Sequence, residues 1–280
     1  MTRATLAEVL GPALAGGYAV AGLVTQGWED MRAYVEAAEA EGVPVILMAG
    51  PGCRAHTPVP VLGAMLGYLA ERASVPVVVQ LDHGKSHAEC AEALDAGFTS
   101  VMYDGSRLAL ARNIDETARV VELAHAAGAS CEGEIGFVGY ADGAASSGTD
   151  PVEAGRFARE TGVDALAISV GNVHLQRQAG AGLDLARLRA IEAETNVPLV
   201  IHGGSGVPAA ERRTLARETA ICKFNIGTEL RMAFGPALRA AVTRDPERFD
   251  RLQILSETHA PLVAATRSVL AGLKPTLPGR

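Results

Sequence analysis

Three histidines stand at equivalent points along this chain. His83 closes Leu81-Asp82-His83-Gly84 after the apolar run Val75–Leu81. His174 closes Gly171-Asn172-Val173-His174 after Ala165–Val170. His202 ends Pro198–His202 and opens His202-Gly203-Gly204-Ser205-Gly206. Three imidazoles that converge with one open position suit a catalytic divalent ion, which keeps a site for water or substrate. One such histidine alone is more often a packed, hydrogen-bonded residue. Three at matched strand ends favour the metal site. His56, His87, His125 and His259 fall in loops or on predicted helices and read as surface or packing residues.

Acidic residues accompany them. Asp82 adjoins His83. Alternation along a strand turns neighbours to opposite faces, so both reach one site only if the strand end bends. A carboxylate there can shuttle a proton beside the ion; helix capping is the competing use. Asp104, in Asp104-Gly105-Ser106, reads as a group that orients a ligand or a loop. Glu132 and Glu134 are two apart and share a face, so one or both line the same interior. The glycine-rich turn Gly203–Gly206, with Asn225 and Thr228 on the next segment, can point backbone N–H groups at a phosphate.

The elements that must position these residues are short β-branched runs alternating with Ala/Leu/Glu/Arg-rich stretches. Eight runs read as strands: Ala19–Val24, Pro44–Ala49, Val75–Leu81, Ser100–Tyr103, Ser130–Glu134, Ala165–Val170, Pro198–His202 and Ile221–Ile226. Several are nearly continuous apolar runs, as parallel strands covered on both faces should be. Ser86 and Glu89 form a predicted capping box, with Gly97 as the stop. Asn113 is a predicted cap for the next helix, with Gly128 its stop. Asp150-Pro151 with Glu153 opens a third. Eight strand–helix units imply an α/β fold closed into a single (β/α)8 barrel over residues 1–280, with a short C-terminal arm after about residue 270; an open, doubly wound sheet is the alternative. The 280 residues match the roughly 250 typical of that barrel. In it the strand ends converge on one mouth, and the loops after the last two strands form its recurrent phosphate site.

Composition narrows the function classes. A net charge of −7 argues against nucleic acid or an anionic membrane as partner. No apolar run reaches the roughly 18–20 residues of a membrane helix. The mildly apolar stretch 11–24 reads as a first barrel strand, not as a signal peptide. Cys53, Cys90, Cys131 and Cys222 form no CxxC pair and read as buried thiols in a reducing cytosol, so a cytoplasmic location is expected.

With these residues in place, the chain resembles the class II ketose-bisphosphate aldolases, a family that includes fructose- and tagatose-bisphosphate aldolases. The likeness runs from about Ala19 to Leu270. It rests on Gln80–Gly84 (QLDHG), Ser100–Ser106 (SVMYDGS), Glu132–Gly136 (EGEIG), Gly171–His174 (GNVH), Ile201–Gly206 (IHGGSG) and Cys222–Arg231 (CKFNIGTELR). The resemblance implies that His83, His174 and His202 bind zinc and that Asp82 transfers the proton. It implies Glu134 as an alternative ligand and Asp104 as an acidic group behind the ligands. Gly203, Ser205, Asn225 and Thr228 would hold the dihydroxyacetone phosphate half of a sugar phosphate. It also implies a homodimer or homotetramer, in which Arg251 is a loose match for a neighbouring-subunit arginine that binds the far phosphate. Cobalt, iron or manganese could replace zinc, and a monovalent cation is a secondary expectation. The chain has only Lys85, Lys223 and Lys274. Lys223 offers a Schiff-base alternative that the three histidines make the poorer choice.

The departures from the family pattern are local. Val24 stands for an asparagine, Gly50 for a serine and Leu175 for a glycine, and the lysine or tyrosine usual soon after is absent. Gly227 stands for aspartate or alanine, and Gly139-Tyr140-Ala141-Asp142-Gly143 replaces an acidic loop. Asp142, and more weakly Tyr140, are candidates for a second acid or base. The expected function is a metal-dependent aldolase acting on something other than standard fructose 1,6-bisphosphate. A metal-dependent hydrolase on the same barrel and a non-catalytic aldolase-like subunit are the competing readings.

Overall fold

A computed structural model of the chain describes residues 2–177 and 182–275. Nine strands occur: β1 (Arg3–Ala4), β2 (Val20–Val24), β3 (Val45–Ala49), β4 (Val77–Gly84), β5 (Ser100–Tyr103), β6 (Ser130–Ile135), β7 (Ala165–Ile168), β8 (Leu199–Ile201) and β9 (Ile221–Ile226). The first helices are α1 (Leu6–Gly16), α2 (Trp28–Glu41), α3 (Pro51–His56), α4 (Val59–Arg72), α5 (His87–Asp95) and α6 (Leu110–Ala126). They are followed by α7 (Pro151–Thr161), α8 (Leu185–Glu194), α9 (Ala209–Glu218), α10 (Thr228–Arg244), α11 (Arg251–Ser256) and α12 (His259–Leu273). All strand pairs are parallel, and β2 to β9 close through β2–β9 and β4–β5 into an eight-stranded barrel. β1 only adds Arg3 and Ala4 beside Val77 and Val78.

The barrel interior changes character along its axis. At its base, Leu6, Val9, Leu10 and Ala13 of α1 pack against Val20, Ile46, Val78, Ala165 and Val200 from the strands. Each large α1 side chain buried there contributes roughly 1.5–3 kcal/mol. Next to this apolar base the interior turns polar: Gln80 lies two residues beyond Val78, Glu132 pairs in register with Ala165 and Lys223 with Val20 and Val200, and all three are fully buried. Two residues further again come Asp82, Glu134 and Asn225. The larger apolar cluster fills the layer between barrel and outer helices.

Several expectations are corrected. The stretch 11–24 is not one strand: residues 11–16 finish α1, which is opened by a Thr5–Glu8 capping box and stopped by Gly17 at φ 62°. Asn113 is not a cap, because α6 begins at Leu110; it is buried one turn inside and donates to the Glu134 carbonyl at 2.9 Å. Ser86 caps α5, but the Glu89 carboxylate accepts from the Lys85 N–H instead of closing the box. Helix α12 runs to Leu273, and Lys274 pairs with Glu41; residues 276–280, on which most of the expected C-terminal arm falls, lie outside the described ones. Asp150 caps α7 as expected, and all four cysteines are free and buried.

Candidate active site

The ladder between β4 and β5 shifts register between Leu81 and Gly84, and His83 adopts φ 54°. A left-handed residue breaks strict alternation, so Asp82 and His83 line the same cavity. The expected bend is therefore one residue wide. The cavity, about 450 Å3, lies at the C-terminal ends of the strands and falls within the usual range for a small-molecule site.

The three histidines meet there, His83 and His174 on the cavity wall and His202 fully buried beneath them. Ring centroids are 4.8 Å apart for His83–His202, 5.4 Å for His83–His174 and 5.7 Å for His174–His202. One nitrogen of each lies within 4.8 Å of the others. Carboxylates set two of the tautomers. Asp104 Oδ2 is 2.7 Å from His83 Nδ1, and Glu132 Oε1 is 3.1 Å from His202 Nε2. A carboxylate accepts an N–H, which leaves Nδ1 of His202 and, once His83 gives up its second proton, Nε2 of His83 as the nitrogens that can face an ion. His202 Nδ1 is buried without a hydrogen-bond partner among the described residues, as are Glu134 Oε2 and Asp82 Oδ1. Glu134 Oε2 lies 3.6 Å from His202 Nδ1 and from His83 Nδ1. Each unpartnered buried acceptor costs about 1–3 kcal/mol. A divalent ion would satisfy nitrogen and oxygen acceptors together, so this donor set fits one.

Charge is layered around the cluster. Burial opposes the His83 imidazolium, but Asp82, Asp104 and Glu134 outweigh it and raise its pKa to about 9. Burial, then the neighbouring His202 and His83, lowers His174 to about 2, so its lone pair is free. Burial pushes Asp104 up, but hydrogen bonds from His83, Lys85 and Ser106 hold it well below the usual carboxylate range. Burial also opposes ionisation of Glu132; the Lys223 ammonium and His202 prevail and hold it at about 2. Burial raises Glu134.

Gly203, Ser205, Asn225 and Thr228 all line the cavity. Gly203 sits at φ 65°, and a Cβ there would lie 2.1 Å from the Val173 carbonyl oxygen, so only glycine fits. Ser205 Oγ accepts from the N–H groups of Gly227 at 3.3 Å and Glu229 at 3.2 Å, which ties the glycine turn to the start of α10. Asn225 Oδ1 is buried and unpartnered among the described residues.

Other candidates fall elsewhere. Asp142 is exposed and does not line the cavity; Tyr140 does, with its ring 5.0 Å from that of His174 at 27°. Arg251 begins α11 and lines a separate cavity with Asp30, Tyr34 and Arg231. Lys223 is fully buried and ion-paired to Glu132, so its amine is not presented to a substrate. Gln80 Nε2 donates to the same carboxylate at 2.9 Å. These supporting roles of Gln80 and Lys223 went unread, although each lies two residues before a site residue and so shares its face. Val24, Gly50, Leu175 and Gly227 all line the cavity. A Cβ on Gly50 would come within 3.2 Å of Asp82 Oδ2, and one on Gly227 within 3.1 Å of Val24 Cβ.

Comparison with known proteins gives the family. The family model "Fructose-bisphosphate aldolase class-II" matches residues 4–274. The chain is 36% identical over 263 residues to a fructose-bisphosphate aldolase of Geobacillus stearothermophilus, covering 91% of each chain. It is 39% identical over 269 residues to a 6-phospho-5-dehydro-2-deoxy-D-gluconate aldolase of Shouchella clausii, covering 93% of this chain and 90% of that one. The crystal structure of the YdjI aldolase from Escherichia coli K12 superposes with a TM-score of 0.85 at 28% identity, covering 98% of both chains. No helix among the described residues is long and apolar enough to cross a membrane. The chain belongs to the class II fructose-bisphosphate aldolase family, and it is a lyase of the aldolase kind.

Proposed function

We propose that the chain is a zinc-dependent aldolase that reversibly cleaves a ketose phosphate into dihydroxyacetone phosphate and an aldehyde, and that its substrate is not standard fructose 1,6-bisphosphate. The observation that carries this reading is the set of unpartnered buried acceptors, His202 Nδ1, Glu134 Oε2 and Asp82 Oδ1, around three clustered imidazoles. His83, His174 and His202 would hold the ion, with Glu134 as an alternative ligand. When bound, such an ion supplies Lewis-acid stabilisation of the negative charge that develops as the carbon–carbon bond breaks. Nitrogen donors favour zinc over harder ions.

The chain's own residues supply the rest. Asp82, beside His83 in the cavity, takes and returns the proton at C3 of the donor. Gly203, Ser205, Asn225 and Thr228 hold the donor phosphate. Tyr140, not Asp142, presents the loop's O–H to the aldehyde oxygen; burial raises its phenol pKa and keeps it a donor. A Tyr140→Phe variant should therefore keep C3 proton exchange and lose condensation; equal loss of both would remove Tyr140 from this role.

Two observations support an altered substrate. The four family departures, Val24, Gly50, Leu175 and Gly227, all lie on the cavity wall. Relatives named for different substrates stand at nearly equal identity, 36% and 39%. The deciding experiment is elemental analysis of purified protein together with an assay of proton exchange at C3 of dihydroxyacetone phosphate. Bound zinc, with exchange abolished by chelation, is expected. Bound metal without exchange would favour a hydrolase, and absence of metal a non-catalytic subunit.

A further inference from the structure

The bend that brings Asp82 and His83 into one cavity leaves backbone groups to satisfy. β3 ends at Ala49, and the β4–β5 ladder is interrupted between Leu81 and Gly84. The carbonyls of Ala49, Asp82 and His83 therefore lie where strand partners run out, and buried carbonyls need donors. One side chain supplies them. Arg54 Nη1 donates to the Ala49 carbonyl at 2.7 Å and to the Asp82 carbonyl at 2.6 Å; Nη2 donates to the His83 carbonyl at 3.1 Å. Nη2 also lies 3.4 Å from Glu89 Oε2, and the Arg54 side chain is only 11% exposed. A planar guanidinium is suited to this because its donors are fixed in one fork.

We propose that Arg54 is the positioning residue of the site: its guanidinium locks the Asp82–His83 bend, so that one strand end delivers both the proton-transfer carboxylate and a ligand imidazole. Among the described residues Arg54 donates to neither the Asp82 carboxylate nor the His83 ring; its hydrogen bonds to these two residues go to their main chain. His83 is one of two non-glycine residues at positive φ among the described residues. Such a conformation persists only where its surroundings over-determine it, and here the arginine grips the carbonyls on both sides of the His83 Cα. The roles of Asp82 and His83 rest on the function proposed above; the lock on the bend does not.

The test compares Arg54→Met, Arg54→Lys and Glu89→Gln in the full-length, zinc-loaded protein, with melting curves to show folding. Arg54→Met should lower kcat for C3 exchange about 10²-fold, the scale of a displacement near 1 Å, with little change in KM. Arg54→Lys, which can reach one or two carbonyls without the fork, should recover part of the loss. Glu89→Gln removes only the ion pair and should behave like the parent. A crystal structure of Arg54→Met should show His83 out of the left-handed region. A folded Arg54→Met with parental kcat, or with His83 still at positive φ, overturns the proposal. So does a Glu89→Gln variant as impaired as Arg54→Met, which would mean that the arginine merely anchors α5. If the parent protein itself showed no exchange, the aldolase reading would fail, while the His83 conformation in Arg54→Met would still decide the role of Arg54.

Discussion

At the floor of the cavity Glu132, Glu134 and His202 are at most 2% exposed, and every ionisable group has a charged neighbour within hydrogen-bonding or near-contact range. At the rim Tyr140 is 44% and Leu175 52% exposed, and the wall is built from loop residues and strand tips. The floor keeps every residue that the family resemblance assigns to metal and proton chemistry. All four single-residue departures lie on the cavity wall: Leu175 is half-exposed at the rim, Val24 is partly buried, and Gly50 and Gly227 are buried deeper in the wall. A buried charged network cannot change one member without stranding a charge, whereas uncharged wall positions can change shape without that penalty. Under the proposed function, the buried network would carry the chemistry and the uncharged wall would select the substrate.

The hardest blow to the floor is His202→Ala. It removes a proposed ligand that is fully buried and should eliminate bound metal and lower turnover by about 10³-fold or more, the scale of several kcal/mol of Lewis-acid stabilisation. Elemental analysis with a C3-exchange assay checks this, and normal turnover would break the site assignment. Asp82→Ala should separate the two functions, keeping the metal while exchange falls roughly 10²–10⁴-fold. If that variant stayed active, Asp82 would be only structural.

Glu132→Gln comes next. It should weaken zinc binding by about 10–100-fold, because the carboxylate that orients His202 is gone. It should also cost about 3–5 kcal/mol of stability, because Lys223 is left buried without its counter-ion. Zinc titration and denaturant unfolding read the two effects separately. The floor should also be pH-sensitive in a specific way. His83, raised to about 9, carries a proton that the ion must displace, whereas His174, lowered to about 2, does not. Zinc affinity should therefore rise about tenfold per pH unit between roughly pH 6 and 8. A flat profile would show that His83 does not exchange a proton for metal.

The floor was readable in the sequence because its chemistry demands particular residue types. Imidazoles and carboxylates carry the metal-facing part, and strand ends place them at regular intervals; Gln80 and Lys223, which act only on Glu132, are less legible because such residues have many other uses. Supports that act through the main chain left no such trace. Arg54 grips three carbonyls, which any residues would supply, so nothing in its neighbours' identities announces it. Helix α1 was hidden for a different reason. Its apolar residues run on into β2 with only Gly16-Gly17 between, and the Thr5–Glu8 capping box was the overlooked signal. Asn113 was misread because a buried asparagine inside a helix looks like a cap until its partner, the Glu134 carbonyl, is known.

The smallest expected effect sharpens the other side of the comparison. Leu175 sits at φ 61°, where the family resemblance expects glycine, and its half-exposed side chain lines the cavity beside His174. A left-handed leucine costs about 1–2 kcal/mol, and glycine at the same φ avoids that strain while losing about 0.5–1 kcal/mol of chain entropy. Leu175→Gly should therefore leave stability unchanged or raise it by up to about 1.5 kcal/mol, visible as a small increase in Tm. Zinc content and C3 exchange should not move, because no ligand or proton-transfer group is touched. What should move is the ratio of kcat/KM between glyceraldehyde 3-phosphate and a smaller uncharged aldehyde such as lactaldehyde. A half-exposed apolar wall gives roughly tenfold discrimination at most. If exchange fell along with that ratio, rim and floor would be one coupled unit. If only the ratio changed, leucine is retained at a strained position for what it does to the aldehyde and for nothing below it.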